Sequence, residues 1–303
     1  MHATTRLQNM TRAGIVTIAG RPNAGKSTLL NRLIGERLAL TSPKAQSTRA
    51  RVVGLLSDAS TQLVFFDTPG LLEPADALHV SMRGAAFRAI RDADVIVHLA
   101  DARDGLPPLL WSDAGWEGDI PTTPVLVVLN KTDSLSPAAL RALTSDHPNT
   151  VLISARTGDS VDALLARLRT LVPEGPFLYP ADDASTQNLR FFVSEMVRET
   201  ALEELNDEIP HALACVVEEF RESKTPVYIR VVLYVERESQ KRIVIGTGGE
   251  RIREIGRRAR AKIEPLVGGQ VFLDLWVKVL PNWRRDAAAL RRLGLSPNED
   301  HAV

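Results

Sequence analysis

Gly20-Arg21-Pro22-Asn23-Ala24-Gly25-Lys26-Ser27-Thr28 follows directly on the β-branched run Ile15–Ala19 and leads into the helical pattern Lys26–Ile34. The octet Gly20–Ser27 matches G-x-x-x-x-G-K-[ST] in the strand–loop–helix setting that this motif requires. Its glycines let the backbone turn N–H groups inward around phosphate oxygens, and the helix start adds positive potential. Lys26 is placed for the β- and γ-phosphates of a nucleotide and Ser27 for Mg²⁺. Such a match arises by chance in isolation, so its surroundings decide its weight.

Outward from this loop, short apolar runs alternate with helical patterns as far as Leu171. Strands are expected at Ile15–Ala19, Arg51–Leu56, Gln62–Phe66, Val95–Ala100, Val125–Leu129 and Val151–Ile153. Helices are expected at Lys26–Ile34, Ala75–Arg91, Pro137–Leu143 and Ser160–Leu171. Runs such as VIVHLA and VLVVL are apolar on both faces, as in a helix-covered parallel sheet, so the class is α/β with ligands at the carboxyl ends of strands.

Three further elements stand at such ends. In Asp67-Thr68-Pro69-Gly70, the carboxylate is suited to Mg²⁺ and Gly70 to sensing a γ-phosphate. In Asn130-Lys131-Thr132-Asp133, the aspartate can accept from both N1–H and the exocyclic amine of guanine, a donor pair that adenine lacks. Ser154-Ala155 fits the loop whose backbone touches the guanine oxygen. Four elements in this order indicate a site for GTP and GDP with Mg²⁺. Within the loop 37–49, Thr48 is the threonine expected to close over Mg²⁺, with Gln46–Ala50 as its box, so Ser27, Thr48 and Asp67 form the metal set. Lys26, Thr48 and Gly70 are expected to carry the chemistry. Leu71 stands where a Ras-like enzyme has a water-orienting glutamine, so hydrolysis is expected to be slow or to use another device. Asn23 offers two readings of equal weight: an amide oxygen for a monovalent cation such as K⁺, or a brace for the loop's own backbone.

The chain has 303 residues, 44% hydrophobic and 24% charged, which suits two globular domains and excludes disordered, collagenous and disulfide-scaffold classes. Lys+Arg and Asp+Glu both number 37, yet the balance is local. Residues 182–222 hold 11 acidic and 3 basic side chains, residues 223–262 hold 11 basic and 4 acidic, and the second stretch is a candidate phosphate-attracting face. Cys215 is the single cysteine and reads as a small buried hydrophobe. The six histidines lack ligand-like spacing. With no apolar leader and no spanning stretch, a soluble cytoplasmic monomer is expected.

The proline-rich stretch Val172–Asp183 reads as a linker. Beyond it come a helix (Asn188–Leu205), two strands (Ala212–Arg221, Pro226–Glu236), a Gly-rich turn, a basic helix (Glu250–Ile263) and a closing strand (Gln270–Leu280). The turn Gly246-Thr247-Gly248-Gly249 and the following helix, with Ile252, Ile255, Ala259 and Ile263 as its apolar stripe, suit the clamping of about four single-stranded nucleotides. Lys241, Arg242, Arg251, Arg253, Arg257 and Arg258, with the turn itself, are the candidate RNA contacts. On the closing strand, Trp276 and Lys278 alternate with Leu275 and Val277, which reads as core packing in preference to a base-stacking platform.

Taken together, GRPNAGKST, QSTRA, DTPG, NKTD, ISA, VERESQKRIVIG and LDLWVKVLPNW resemble the Era family of bacterial GTPases across nearly the whole chain. The resemblance implies a Ras-like P-loop GTPase domain followed by an α+β type II KH domain. The boundaries then expected are a tail at 1–13, the GTPase domain at 14–172, a linker at 173–187, the KH domain at 188–283 and a tail at 284–303. It also implies binding to the 3′ end of 16S ribosomal RNA, a role in maturing the 30S subunit, potassium-assisted hydrolysis through Asn23, and membrane association that would be peripheral. Local propensity makes KRIVIG a strand, whereas the KH pattern puts a short helix there, and the family pattern is followed. The loop's central pair is Thr247-Gly248 where KH proteins often carry a lysine, leaving Lys241, Arg242 and the helix arginines for phosphate. Two other readings are a nucleotide-gated RNA-binding module with negligible turnover, and a GTPase whose partner is a protein or a membrane.

Overall fold

The computed structural model describes residues 11–41, 48–205 and 209–295. They divide into two compact units, one of residues 11–39, 51–71 and 86–186, the other of 40–41, 48–50, 72–85, 187–205 and 209–295.

The first unit is built on β1 (Arg12–Ala19), α1 (Lys26–Ile34), β2 (Val52–Ser57), β3 (Thr61–Asp67), β4 (Val95–Asp101), β5 (Val125–Asn130) and β6 (Val151–Leu152). Short α3 (Leu110–Asp113), then α4 (Pro137–Asp146) and α5 (Val161–Leu171), complete it, with the later part of α2 (Ala77–Arg91). The sheet order is β2-β3-β1-β4-β5-β6. All six expected strands are present. Five run parallel, whereas β2 is antiparallel to β3. Only Asp58–Ser60 separate the two, and so short a connection can join antiparallel neighbours alone. The Asp58 carboxylate fastens that turn by accepting from the backbone N–H of Ser60 and Thr61. Because the remaining strands are parallel, their carboxyl ends lie at one edge of the sheet.

The stretch expected as a linker is held down. Fully buried Gln62 accepts from the N–H of Leu178 (2.7 Å) and Tyr179 (2.9 Å) and donates to the Tyr179 carbonyl (2.9 Å). Leu55 N–H donates to the Ala184 carbonyl at 2.8 Å. The strap thus gives a buried glutamine the partners its desolvation demands.

In the second unit, β7 (Ala214–Arg221), β8 (Val227–Val235) and β9 (Val271–Val279) form one sheet, antiparallel then parallel. Helices α6 (Leu189–Glu204), α7 (Glu238–Ile245) and α8 (Glu250–Val267) accompany it. Segment KRIVIG is helical in α7, where Gln240 accepts from the N–H of Glu236 and Arg237 to start the helix. Its core joins Val193, Val197, Ile229, Val231, Ile255, Ala259 and Ile263. Cys215 packs against this core, and burial pushes its thiol up to about 12, so it stays protonated and inert.

Three expectations need correction here. The tail expected at 284–303 is not simply a tail as far as residue 295, since α9 (Ala287–Arg292) packs Leu290 with Trp283, Val232 and Tyr234, and residues 296–303 lie outside the described residues. Arg49 and the segment 72–85 belong with the second unit because their side chains reach its core. Leu78 and Met82 join that cluster, and buried Arg49 donates to the Leu213 carbonyl (2.5 Å) with its guanidinium 5.5 Å from the Trp283 ring. Trp276 is not a core residue. It lies on the opposite face of β9 from Leu275 and Val277 and is half exposed.

Candidate nucleotide site and nucleic-acid groove

The octet Gly20–Ser27 occupies the turn between β1 and α1. Gly20 has φ +149°, and a Cβ there would stand 2.1 Å from the Leu99 carbonyl oxygen, so the loop's entry admits glycine alone. Gly25 has φ +98°, and its missing Cβ leaves room for the Asn130 amide. Buried Lys26 donates from Nζ to the carbonyls of Gly20 (3.1 Å) and Arg21 (2.9 Å). Thr28 lies in the first turn of α1. Arg21 is fastened by Asp113, whose carboxylate lies 2.7 Å from Nε.

At the end of β3, Asp67 is fully buried and accepts from Ser27 Oγ at 2.6 Å. A hydroxyl and a carboxylate are hard oxygen donors, and they fit Mg²⁺ held jointly with phosphates and water. When bound, the ion would neutralise charge on the β- and γ-phosphate oxygens. Thr68 donates from Oγ1 to the Ile18 carbonyl, Pro69 follows, and the Leu71 N–H bonds the Gly20 carbonyl (3.0 Å). A Cβ on Gly70 would lie 2.7–2.9 Å from Pro22, so these two loops touch through backbone. Leu71 is buried among Ala19, Ala86, Ile90 and Leu110. Of the expected metal set, Ser27 and Asp67 meet, while Thr48 belongs to the other compact unit, and Gln46 and Ser47 of its box lie outside the described residues.

Sequence reasoning gave Asn130 no separate task, yet it ties three loops together. Its Nδ2 donates to the Ala24 carbonyl (2.9 Å) and its Oδ1 accepts from the Ala155 N–H (2.9 Å). Ser154 N–H donates in turn to the Asp159 carbonyl. Both amides thus have partners within the protein and tie this loop to its neighbours. Asp133 Oδ1 accepts from Ser154 Oγ at 2.6 Å, and Arg156 pairs with Oδ2. The Ser154 hydrogen bond comes first in holding this carboxyl below its usual range, ahead of the Arg156 charge, so Asp133 is ionised at neutral pH. Lys131 adopts φ +67° and reaches Asp101 at 2.9 Å.

Burial lowers the Lys26 pKa to about 8, against the opposing pull of Asp67. Between pH 8 and 10.5 the unfolded chain keeps a proton that the native site has lost, so native stability rises with pH across that window. A phosphate ligand calls the proton back. Nucleotide affinity is therefore expected to fall as pH climbs through 8, with proton uptake on binding that calorimetry in buffers of different ionisation enthalpy will register. Proton-neutral binding at pH 9 would overturn this.

The second site lies at the turn between α7 and α8. Gly246, Gly248 and Gly249 have φ of +75°, +58° and +79°, with Thr247 exposed between them. Arg251 donates to the Ile243 carbonyl and Arg253 to the Gly248 carbonyl, bracing the turn. Lys241 and Arg242 lie on α7 just before it, and Arg242 is exposed. A groove of about 300 Å³ runs between α8 and β9, floored by Ile252, Gly256, Leu273 and Leu275 and rimmed by Arg253, Arg257 and Arg260. Arg257 keeps a 2.6 Å pair with Glu254.

Arg258 does not serve this groove. It pairs with Glu203 and Glu204 of α6, and Lys262 pairs with Glu199 and Glu203. The acidic helix α6 thus forms an ionic seam against α8. Arg260 and Gly256 are the groove residues that the basic run did not single out.

The profile of 50S ribosome-binding GTPases matches residues 15–131, and that of KH domains matches residues 208–284. GTPase Era of Carboxydothermus hydrogenoformans is 38% identical over 300 residues, spanning 95% of this chain and 99% of its own. The chain belongs to the Era family of GTPases. Among solved structures, an Aquifex aeolicus Era variant bound to GDP and aluminium fluoride superposes with a TM-score of 0.88 at 37% identity, covering 94% of this chain and all of that one. An Era complex with MgGDPNP and nucleotides 1506–1542 of 16S ribosomal RNA gives the same TM-score and identity, covering 94% and 99%. An Era-type nucleotide site takes GTP or GDP with Mg²⁺, and here Lys26, Ser27 and Asp67 are in place to hold them.

Proposed function

We propose that this Era-family GTPase turns over slowly with K⁺ seated beside Asn23. We propose further that its α8–β9 groove binds the single-stranded 3′ end of 16S ribosomal RNA during maturation of the 30S subunit. Slow turnover follows from Leu71, whose buried side chain can neither accept from nor donate to an attacking water. The potassium reading is carried by Asn23. Its exposed side chain makes no hydrogen bond with the described residues, so the alternative role of bracing the loop has no support. Phosphate release is expected to be about tenfold faster or more in K⁺ than in Na⁺. Asn23→Ala removes the difference, and equal rates in both salts for the native chain sink the idea.

The RNA reading rests on the groove, an apolar floor with arginines on its rim beside a glycine turn, and on the Era relative crystallised with 16S RNA. Gly256 is its most sensitive point. A Cβ there would lie an ordinary 3.5 Å from Leu275 Cδ1. Gly256→Ala should therefore stabilise α8 by about 0.5–1 kcal/mol. Gly256→Leu fills the floor and should weaken RNA binding roughly tenfold to hundredfold with GTP affinity unchanged. Undiminished RNA affinity in Gly256→Leu would refute the groove. RNA affinity must also fall with rising salt as phosphate contacts are screened.

Among the described residues no helix is long and apolar enough to cross a membrane. We propose that the protein works in the cytoplasm as a monomer, with any membrane association peripheral.

A further inference from the structure

Strand β9 has two unlike faces. Leu273, Leu275 and Val277 turn toward the core beneath α6 and α8. Phe272 and Trp276 turn the other way and stand 57% and 50% exposed. On the neighbouring strand β8, Tyr228 is in register with Phe272, and Arg230 with Asp274. The Tyr228 and Phe272 rings stack at 13°, with centroids 5.8 Å apart. The Arg230 guanidinium lies 5.6 Å from the Tyr228 ring and 5.2 Å from the Trp276 ring. Asp274 fixes the group by accepting from Tyr228 Oη (2.7 Å), Arg230 Nε (3.0 Å) and Trp276 Nε1 (2.9 Å). The result is a rigid series of flat π-surfaces with two large rings held half in water.

Two observations name the occupant. β9 is an edge strand of its sheet, and the groove is lined by Leu273 and Leu275, alternate residues of that same strand. A nucleic-acid strand leaving the groove over this edge meets Phe272 and Trp276 next. A KH turn clamps about four nucleotides, far fewer than the RNA in the Era complex. We propose that the Phe272–Tyr228–Arg230–Trp276 face is a stacking platform for the single-stranded nucleotides that flank the segment held in the groove. This rests on the RNA reading above. Every base has a π-face, so the platform tolerates sequence and lengthens the footprint without adding base readout. Arg230 is already paired with Asp274, and Arg221 with Glu219, while Phe272 and Trp276 carry no charge, so what these two rings contribute is stacking rather than phosphate neutralisation.

The test uses the full chain, the 16S fragment 1506–1542 and nested truncations of it down to the shortest that the native protein still binds. Phe272→Ala with Trp276→Ala should bind the long fragment roughly tenfold to hundredfold more weakly. The shortest fragment should bind native and variant alike, and the slope of affinity against salt should not change, because no phosphate contact is lost. Phe272→Tyr with Trp276→Phe keeps both rings and should retain native affinity, while thermal unfolding of both variants reports on the fold. Unchanged binding of the long fragment by the alanine variant overturns the platform, as it would if the face served a protein instead. Loss of RNA binding in Gly256→Leu with none in the alanine variant fells the platform alone. If the native chain binds no fragment, the RNA reading fails and the platform falls with it.

Discussion

Asp133→Asn is expected to abolish the preference for guanine and transfer it to xanthine nucleotides. In the native site the ionised carboxylate accepts from Ser154 and pairs with Arg156, and a bound guanine would meet its negative charge. Guanine presents two donors to it, and each charge-assisted hydrogen bond lost is worth roughly 1.5–3 kcal/mol. Losing both lowers GTP affinity by about two to four orders of magnitude at 1.4 kcal/mol per decade. Asparagine retains an oxygen for the Ser154 hydroxyl, so the loop survives and the effect is one of recognition. Parallel titrations with GTP and xanthosine triphosphate check it, and a variant still preferring GTP would remove Asp133 from the base site.

Asn130→Asp should do damage of a different kind. The new carboxylate can still accept from Ala155, but its other oxygen faces the Ala24 carbonyl where Nδ2 now donates. The position is almost wholly buried, so acceptor meets acceptor with a charge and no water. Breaking a buried polar link and stranding a charge costs about 3–5 kcal/mol. Denaturant unfolding should show that loss in stability. Nucleotide affinity should fall with it, because the phosphate loop loses its tie to the base loop. Native stability in this variant would show that the three loops are positioned independently.

Much of this molecule was legible without coordinates, and the reason is locality. A phosphate cradle is made by contiguous residues, so Gly20–Ser27 announces itself. The apolar runs of the six strands are equally local, and so is the stripe Ile252, Ile255, Ala259, Ile263 on α8. The KRIVIG segment shows where local signal misleads. Its β-branched residues favour a strand, yet Val244 is buried in the core from a helix that Gln240 starts. Trp276 failed for a related reason. Alternation along β9 reveals two faces, but which face meets helices depends on where α6 and α8 pack.

By itself, the sequence determined the α/β class of the first half, the guanine-nucleotide chemistry at the strand ends and the presence of a glycine turn before a basic helix. Each is set by residues adjacent in the chain, whose backbone angles and hydrogen-bonding groups act over a few ångströms. Tertiary structure alone decided that Arg258 belongs to an ionic seam and Arg260 to the groove, that Asn130 joins three loops, and that Arg49, Leu78 and Met82 pack with the second unit. Those outcomes turn on distant partners, 54 positions away for Arg258 with Glu204, 106 for Asn130 with Ala24 and 164 for Arg49 with Leu213, and no local periodicity encodes which distant carboxylate or carbonyl a side chain will meet.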